Sequence, residues 1–163
     1  METKRLAGLE PAAVFGYFEE ICSIPHGSRN TKLISDYLVN FAKNQDLRYI
    51  QDDADNVIIF GDATPGYEDH PPIILQGHMD MVCEKDTDCT IDMATDGLDV
   101  THDGNVVFAK GTTLGADNGI AVAMGMALLA DKTIPHPPVE LLITSNEEIG
   151  LLGAAAVDLS ELK

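Results

Sequence analysis

Basic side chains are scarce in this sequence. Ten Lys plus Arg stand against 27 Asp plus Glu, a formal charge of -17. A surface so acidic repels phosphate backbones and argues against a nucleic-acid partner. Most of those carboxylates serve solubility, and their field attracts cations. Cysteine is scarce too: Cys22, Cys83 and Cys89 make an odd count with no Cys-x-x-Cys. That pattern argues for reduced thiols in a cytoplasmic protein rather than a disulfide framework. The spacing of Cys83 and Cys89 fits no usual zinc knuckle. Long apolar runs are missing. The longest, Ile120 to Ala130, is too short to span a bilayer, so no membrane partner is expected. Met1-Glu-Thr-Lys-Arg5 leads into no apolar stretch of the signal-peptide kind. Neither an internal repeat nor a low-complexity segment is visible.

What remains is ordinary globular material: 163 residues, 45% hydrophobic, enough for one domain with a real core. Pro11 suits the first turn of a helix, and Val14, Phe15, Phe18 and Ile21 recur at helical spacing. Thr31 can cap a second helix with Leu33, Ile34, Tyr37, Leu38 and Phe41 on one face. Residues 47–51 and 56–60 read as strands joined by a turn at Asp52–Asp55. Residues 73–76 form a short apolar strand expected to be buried on both faces. Asp-Gly pairs at 96–97 and 103–104 suggest hairpins. Residues 106–109 read as a strand and 111–117 as a glycine-rich loop. Residues 118–130 read as a helix apolar nearly all round and therefore buried, with Met124, Met126 and Leu128 as core packing. A buried strand over 139–144 and a last helix over 151–157 complete an order that predicts a three-layer α/β/α domain with a mixed sheet.

Three polar clusters fall where buried elements end. His78 and Asp80 follow one strand, Asp117 precedes the buried helix, and Glu147 and Glu148 follow another strand. Ligands of open α/β sheets bind at the carboxyl ends of strands. Imidazole and carboxylate are good zinc ligands, so segments converging there would suit a metal site. Period-two spacing keeps His78 and Asp80 on one side of an extended chain. Adjacent carboxylates diverge, so one of Glu147 and Glu148 can ligate while the other reaches a water. Taken singly, each cluster is commonplace: a surface pair, a solvated turn, a helix cap. The glycine-rich run could instead cradle phosphate, but it lacks the Gly-Lys-Ser/Thr ending of a P-loop.

Together the clusters say more. Leu75-Gln-Gly-His-Met-Asp-Met-Val-Cys-Glu-Lys85, Gly111-Thr-Thr-Leu-Gly-Ala-Asp-Asn-Gly-Ile120 and Thr144-Ser-Asn-Glu-Glu-Ile-Gly150 resemble, in order, three motifs of the aminoacylase/carboxypeptidase-type two-zinc exopeptidases. They are most similar to the aminoacyl-histidine dipeptidase (Xaa-His dipeptidase, carnosinase-like) branch, whose N-terminal segment also resembles Cys22-Ser-Ile-Pro-His-Gly-Ser28. The resemblance implies metal ligands at His78, Asp117 and Glu148, with Asp117 bridging two Zn2+ ions. Mn2+ or Co2+ would suit the same donors. It implies that Asp80 orients the His78 imidazole, that the Asp117-Asn118 bond is cis, and that Glu147 is the general base. The reaction implied is dipeptide hydrolysis by a zinc-bridged water, with dipeptides such as β-alanyl-histidine as substrate and a homodimer as the full-length assembly.

The family takes a further aspartate and a far C-terminal histidine as ligands, and a lid domain carries its dimer contacts. None of these is matched within the sequence, so residues 1–163 read as the N-terminal portion of the catalytic domain, incomplete at the C-terminus. Low zinc occupancy and no hydrolysis are expected of this piece alone. Without metal, Asp80, Asp117, Glu147 and Glu148 are expected to crowd, some of them holding protons. His26, His70, His102 and His136 match no family role and read as loop or surface residues. An N-acyl amino-acid deacylase or tripeptide aminopeptidase would use the same metal core, and a non-catalytic interaction module is the reading from another class.

Overall fold

A computed structural model describes residues 5–163. The elements run α1 (Ala12–Cys22), α2 (Lys32–Asn44), β1 (Arg48–Gln51), β2 (Val57–Gly61), β3 (Ile73–His78), β4 (Val100–His102), β5 (Val107–Ala109), α3 (Ala116–Ala130), β6 (Val139–Thr144) and α4 (Leu152–Ala156). Four strands form one sheet in the order β1-β2-β6-β3; β4 and β5 form a separate hairpin. β1, β2 and β6 pair antiparallel, whereas β3 runs parallel to β6, so the sheet is mixed as expected.

Register sorts the side chains into two layers of different thickness. Val57 and Ile59, Leu141 and Ile143, and Leu75 share one face. Alternation makes that face a continuous apolar floor. It carries the main core together with Phe18 and Ile21 of α1, Ile34, Leu38 and Phe41 of α2, and Val122 and Met126 of α3. The α3 helix lies on β3 and β6, α1 packs on α3, and α2 covers β1 and β2. On the opposite face Ile58 and Leu142 are also buried. Leu142 there borders a cleft with Ala154, Val157 and Leu159, and the final residues are tied to this face by Arg48–Glu161 (3.2 Å) and by the Lys163 amide donating to Glu140 (3.1 Å).

Five local expectations need correction. β3 is an edge strand rather than one buried on both faces, and Ile73 and Ile74 are 41% and 48% exposed. Leu33 points to solvent; Val39 and Ala42 take its place on the buried face of α2. Met124 is exposed on α3, while Met126 is fully buried. Asp96-Gly97 makes no hairpin, because the chain there is captured by α1 through Leu98 N–H donating to Cys22 O (2.8 Å). The second Asp-Gly pair does turn between β4 and β5. Thr31 stands at the N-cap of α2 without capping it; its hydroxyl donates instead to Asp55 (2.8 Å), anchoring the helix start to the β1–β2 turn.

Candidate metal centre

The parallel pairing of β3 with β6 creates the site. His78 is level with Thr144, so both strands end at the same edge and their following loops leave side by side. Met79 N–H donating to Thr144 O (2.9 Å) extends the ladder one step beyond. The loop after β3 carries Asp80, and the loop after β6 carries Glu147 and Glu148. The start of α3 delivers Asp117 to the same edge from a third direction. There the first turn is not helical: Asp117 and Asn118 lie outside helical φ/ψ, and the Asp117-Asn118 peptide is cis. Gly115 before them has φ 69, and a Cβ there would meet Met81 Sδ at 2.8 Å, so only glycine lets the loop lie this close.

The His78 ring is nearly buried and its two nitrogens face different partners. Nδ1 lies 3.0 Å from the backbone oxygen of Asp80 and 3.6 Å from its carboxylate. The nearer, orienting bond is thus to the main chain, with the carboxylate adding charge behind it. Nε2 faces Asp117 Oδ1 at 3.1 Å and Glu147 Oε2 at 3.7 Å. Asp80, 1% exposed, accepts from Ser28 Oγ (2.7 Å), Glu147 N–H (2.9 Å) and Glu148 N–H (3.4 Å). Burial works against its charge, yet the bonds from His78, Ser28 and the two amides hold its pKa down to about 2. Burial likewise opposes an imidazolium, but bonds to Asp80 and Asp117 raise the His78 pKa to about 9. Asp117 is pulled below its ordinary value by Asn118 and His78. The expected holding of protons is not met at Asp80 and Asp117, whose carboxyls are both held low beside a His78 imidazole whose own pKa is raised.

Among the described residues, ligand atoms of His78, Glu147 and Glu148 lie within 4.8 Å of one another and could hold a metal ion. Asp117 stands outside that trio while touching His78. One imidazole with several carboxylates is a donor set that fits a divalent cation such as zinc. A cleft of about 380 Å3 opens here, lined on its polar side by His78, Asp117 and Glu147 and on its apolar side by Leu142, Val157 and Leu159.

Several supporting residues carry no signal of their own in the sequence. Buried Asn56 receives Ser145 N–H (2.9 Å) and donates to Gly153 O (3.0 Å), fixing both ends of the Glu147–Glu148 loop. Its position at a strand start hid that role. His26 lies in a loop, one of the two places expected for it, but is buried at 3% exposure. Its Nδ1 donates to Ile24 O (2.6 Å), and burial lowers its pKa. His136 is also buried, at 8% exposure, where its Nδ1 meets Pro137 O at 2.7 Å.

Known proteins resemble this chain in sequence and fold. The cytosol non-specific dipeptidase of Escherichia coli is 42% identical over 149 residues, covering 91% of this chain but 31% of that protein. The aminoacylhistidine dipeptidase of Vibrio alginolyticus superposes with a TM-score of 0.93 at 42% identity, over 97% of this chain and 32% of that one. A tripeptidase from Staphylococcus aureus, at 22% identity and a TM-score of 0.75 over 93% of this chain and 40% of that one, shares the fold. The chain thus spans about a third of the length of its dipeptidase relatives. No helix among the described residues is long and apolar enough to cross a membrane. The sequence profile of peptidase family M20/M25/M40 matches residues 74–159, the stretch that holds His78, Asp117 and Glu147–Glu148, and the chain belongs to that family.

Proposed function

We propose that these residues form the N-terminal part of the catalytic domain of a cytoplasmic metallodipeptidase that hydrolyses dipeptides, Xaa-His substrates among them. The observation that carries the reading is the meeting of His78, Asp117 and the Glu147–Glu148 turn, from three distant segments, at one sheet edge. Identity of 42% to two dipeptidases supports the substrate class.

In this reading His78, Asp117 and Glu148 would hold two zinc ions, with further ligands and a lid contributed elsewhere in a longer, dimeric protein. Zinc, where bound, polarises a carbonyl and brings the pKa of water toward neutrality. The chain's own groups do the rest. His78 offers Nε2 as a neutral donor, because its Nδ1–H is engaged by the Asp80 carbonyl. Asp80 holds the amides of Glu147 and Glu148 and so fixes where both side chains start. Glu147 takes the proton of the attacking water and returns it to the leaving amine.

The closeness of Glu147 to His78 favours a second role for it, as a ligand in the trio. Glu147→Gln separates the two in a protein of the relatives' length. A general base predicts unchanged zinc content with turnover of β-alanyl-histidine lost. Zinc lost along with turnover would make Glu147 a ligand, and full turnover would overturn both roles.

A further inference from the structure

The turn over residues 26–29 takes no part in the reaction described above, yet it touches both loops of the centre. Ser28 Oγ donates to Asp80 Oδ2 at 2.7 Å. On either side of that bond the main chain is pinned: Ser28 N–H donates to Met81 O and Met81 N–H to His26 O, both at 3.2 Å. The two strands run close here, since a Cβ on Gly27 would sit 2.4 Å from Cys83 Sγ. One residue on, Arg29 N–H donates to Asn146 Oδ1 (2.6 Å), the residue just before Glu147. Arg29 (φ 68) and Asn146 (φ 51) are both left-handed, a strained state for non-glycine residues that persists where surroundings over-determine it.

Resting on the metallopeptidase reading, we propose that Ser28 is a positioning residue for the metal centre, acting through Asp80. The Asp80 carboxylate links three segments, and its two oxygens are unequally held. Oδ1 takes the strong bond from Glu147 N–H at 2.9 Å, while Oδ2 has the Ser28 hydroxyl at 2.7 Å and only a long 3.4 Å bond from Glu148 N–H. Without the hydroxyl, Oδ2 keeps only its weakest partner. The carboxylate is then free to rotate, and the turn that aims Glu147 and Glu148 loses its reference. Charge-assisted bonds of this length are the strong ones, and a neutral hydroxyl supplies one without adding a cation that would compete with the metal.

The test compares Ser28→Ala, Ser28→Thr and His78→Ala in a protein of the relatives' length. Zinc affinity is read by competition with a chromophoric chelator, and kcat and KM with β-alanyl-histidine. Ser28→Ala should weaken zinc binding and lower kcat by about tenfold each, the range for one bond to a charged group, with KM within about twofold. Ser28→Thr should recover most of both. In an Asp80→Asn background, Ser28→Ala should add nothing. Wild-type zinc affinity and kcat in Ser28→Ala, a Thr variant as impaired as the Ala variant, or full additivity with Asp80→Asn would each overturn the role. His78→Ala separates the two readings. If it keeps wild-type zinc affinity, the metal centre itself is wrong; if it loses zinc while Ser28→Ala does not, only the Ser28 role fails.

Discussion

Replacing Asp80 by Asn should destabilise the metal-free chain by about 2–3 kcal/mol at pH 7, although shape and size hardly change. The magnitude has two overlapping sources. A carboxyl lowered from 3.8 to about 2 contributes on the order of 2 kcal/mol while it is ionised. In addition, both Asp80 oxygens face donors, Glu147 N–H on one and Ser28 Oγ on the other. An amide has one oxygen; kept on the Glu147 N–H, it leaves an NH2 to which the Ser28 hydroxyl can turn and accept, but the Glu148 N–H then faces a donor and loses its acceptor, at about 1–3 kcal/mol. Urea unfolding at pH 7 measures the difference, and the expected fall in Tm is roughly 5–10 °C for a chain of this size. The sign with pH is fixed. A depressed carboxyl stabilises above its unfolded pKa, and that contribution drains as pH falls from 3.8 toward 2. The gap between wild type and variant should therefore narrow in acid. A variant within about 0.5 kcal/mol of wild type at pH 7, the scatter of ordinary surface changes, would refute the claim that this carboxylate organises the edge.

The raised pKa of His78, about 9 against an ordinary 6.5, runs the other way: its contribution is full below 6.5 and is lost as pH rises through 9. Zinc must displace that proton, so calorimetry at pH 7.5 in buffers of differing ionisation heat should show about one proton released per zinc bound at His78. Met126→Ala should cost about 2–5 kcal/mol in urea unfolding and Met124→Ala less than about 0.5, because only the first side chain is buried. Cys22, buried and with its thiol pushed up to about 12 by desolvation and then by Glu19, should resist iodoacetamide at pH 8 while exposed Cys83 is labelled, as peptide mass spectrometry would report.

Helical periodicity was sufficient to place α1 and α2, and the paired carboxylates and histidine marked the sheet edge where they meet, because both signals lie within a few neighbouring residues. The burial of β3 was not legible. Ile73-Ile74-Leu75 reads as apolar as Leu141-Leu142-Ile143, yet the first strand has one neighbour and the second has two. Apolar runs report what a strand can bury, while the number of partners is decided by topology. Leu33 and Met124 were misjudged for a related reason: each sits in an apolar stretch, but helix rotation is fixed by what packs on the other side. Ser28 and Asn56 were invisible as site residues because their partners lie 52 and 89 residues away.

The site originates in strand register. His78 and Thr144 are level in a parallel pair, so the two loops that follow start together and diverge only as their side chains dictate. Backbone pairing between the two strands ends one step on, at Met79 N–H to Thr144 O, and polar groups beyond a ladder need other partners. Asp80 supplies them for Glu147 and Glu148, Asn56 for Ser145 and Gly153, and Asn146 for Arg29. Side chains thus continue the ladder after the main chain has ended. A buried carboxylate in that place satisfies the loop amides and lends its charge to the His78 imidazole behind which it lies, so loop order and the electrostatics of the centre depend on the same residue. This is why the consequences of losing Asp80 should appear first as loss of stability in the metal-free chain and again, separately, as loss of affinity for zinc.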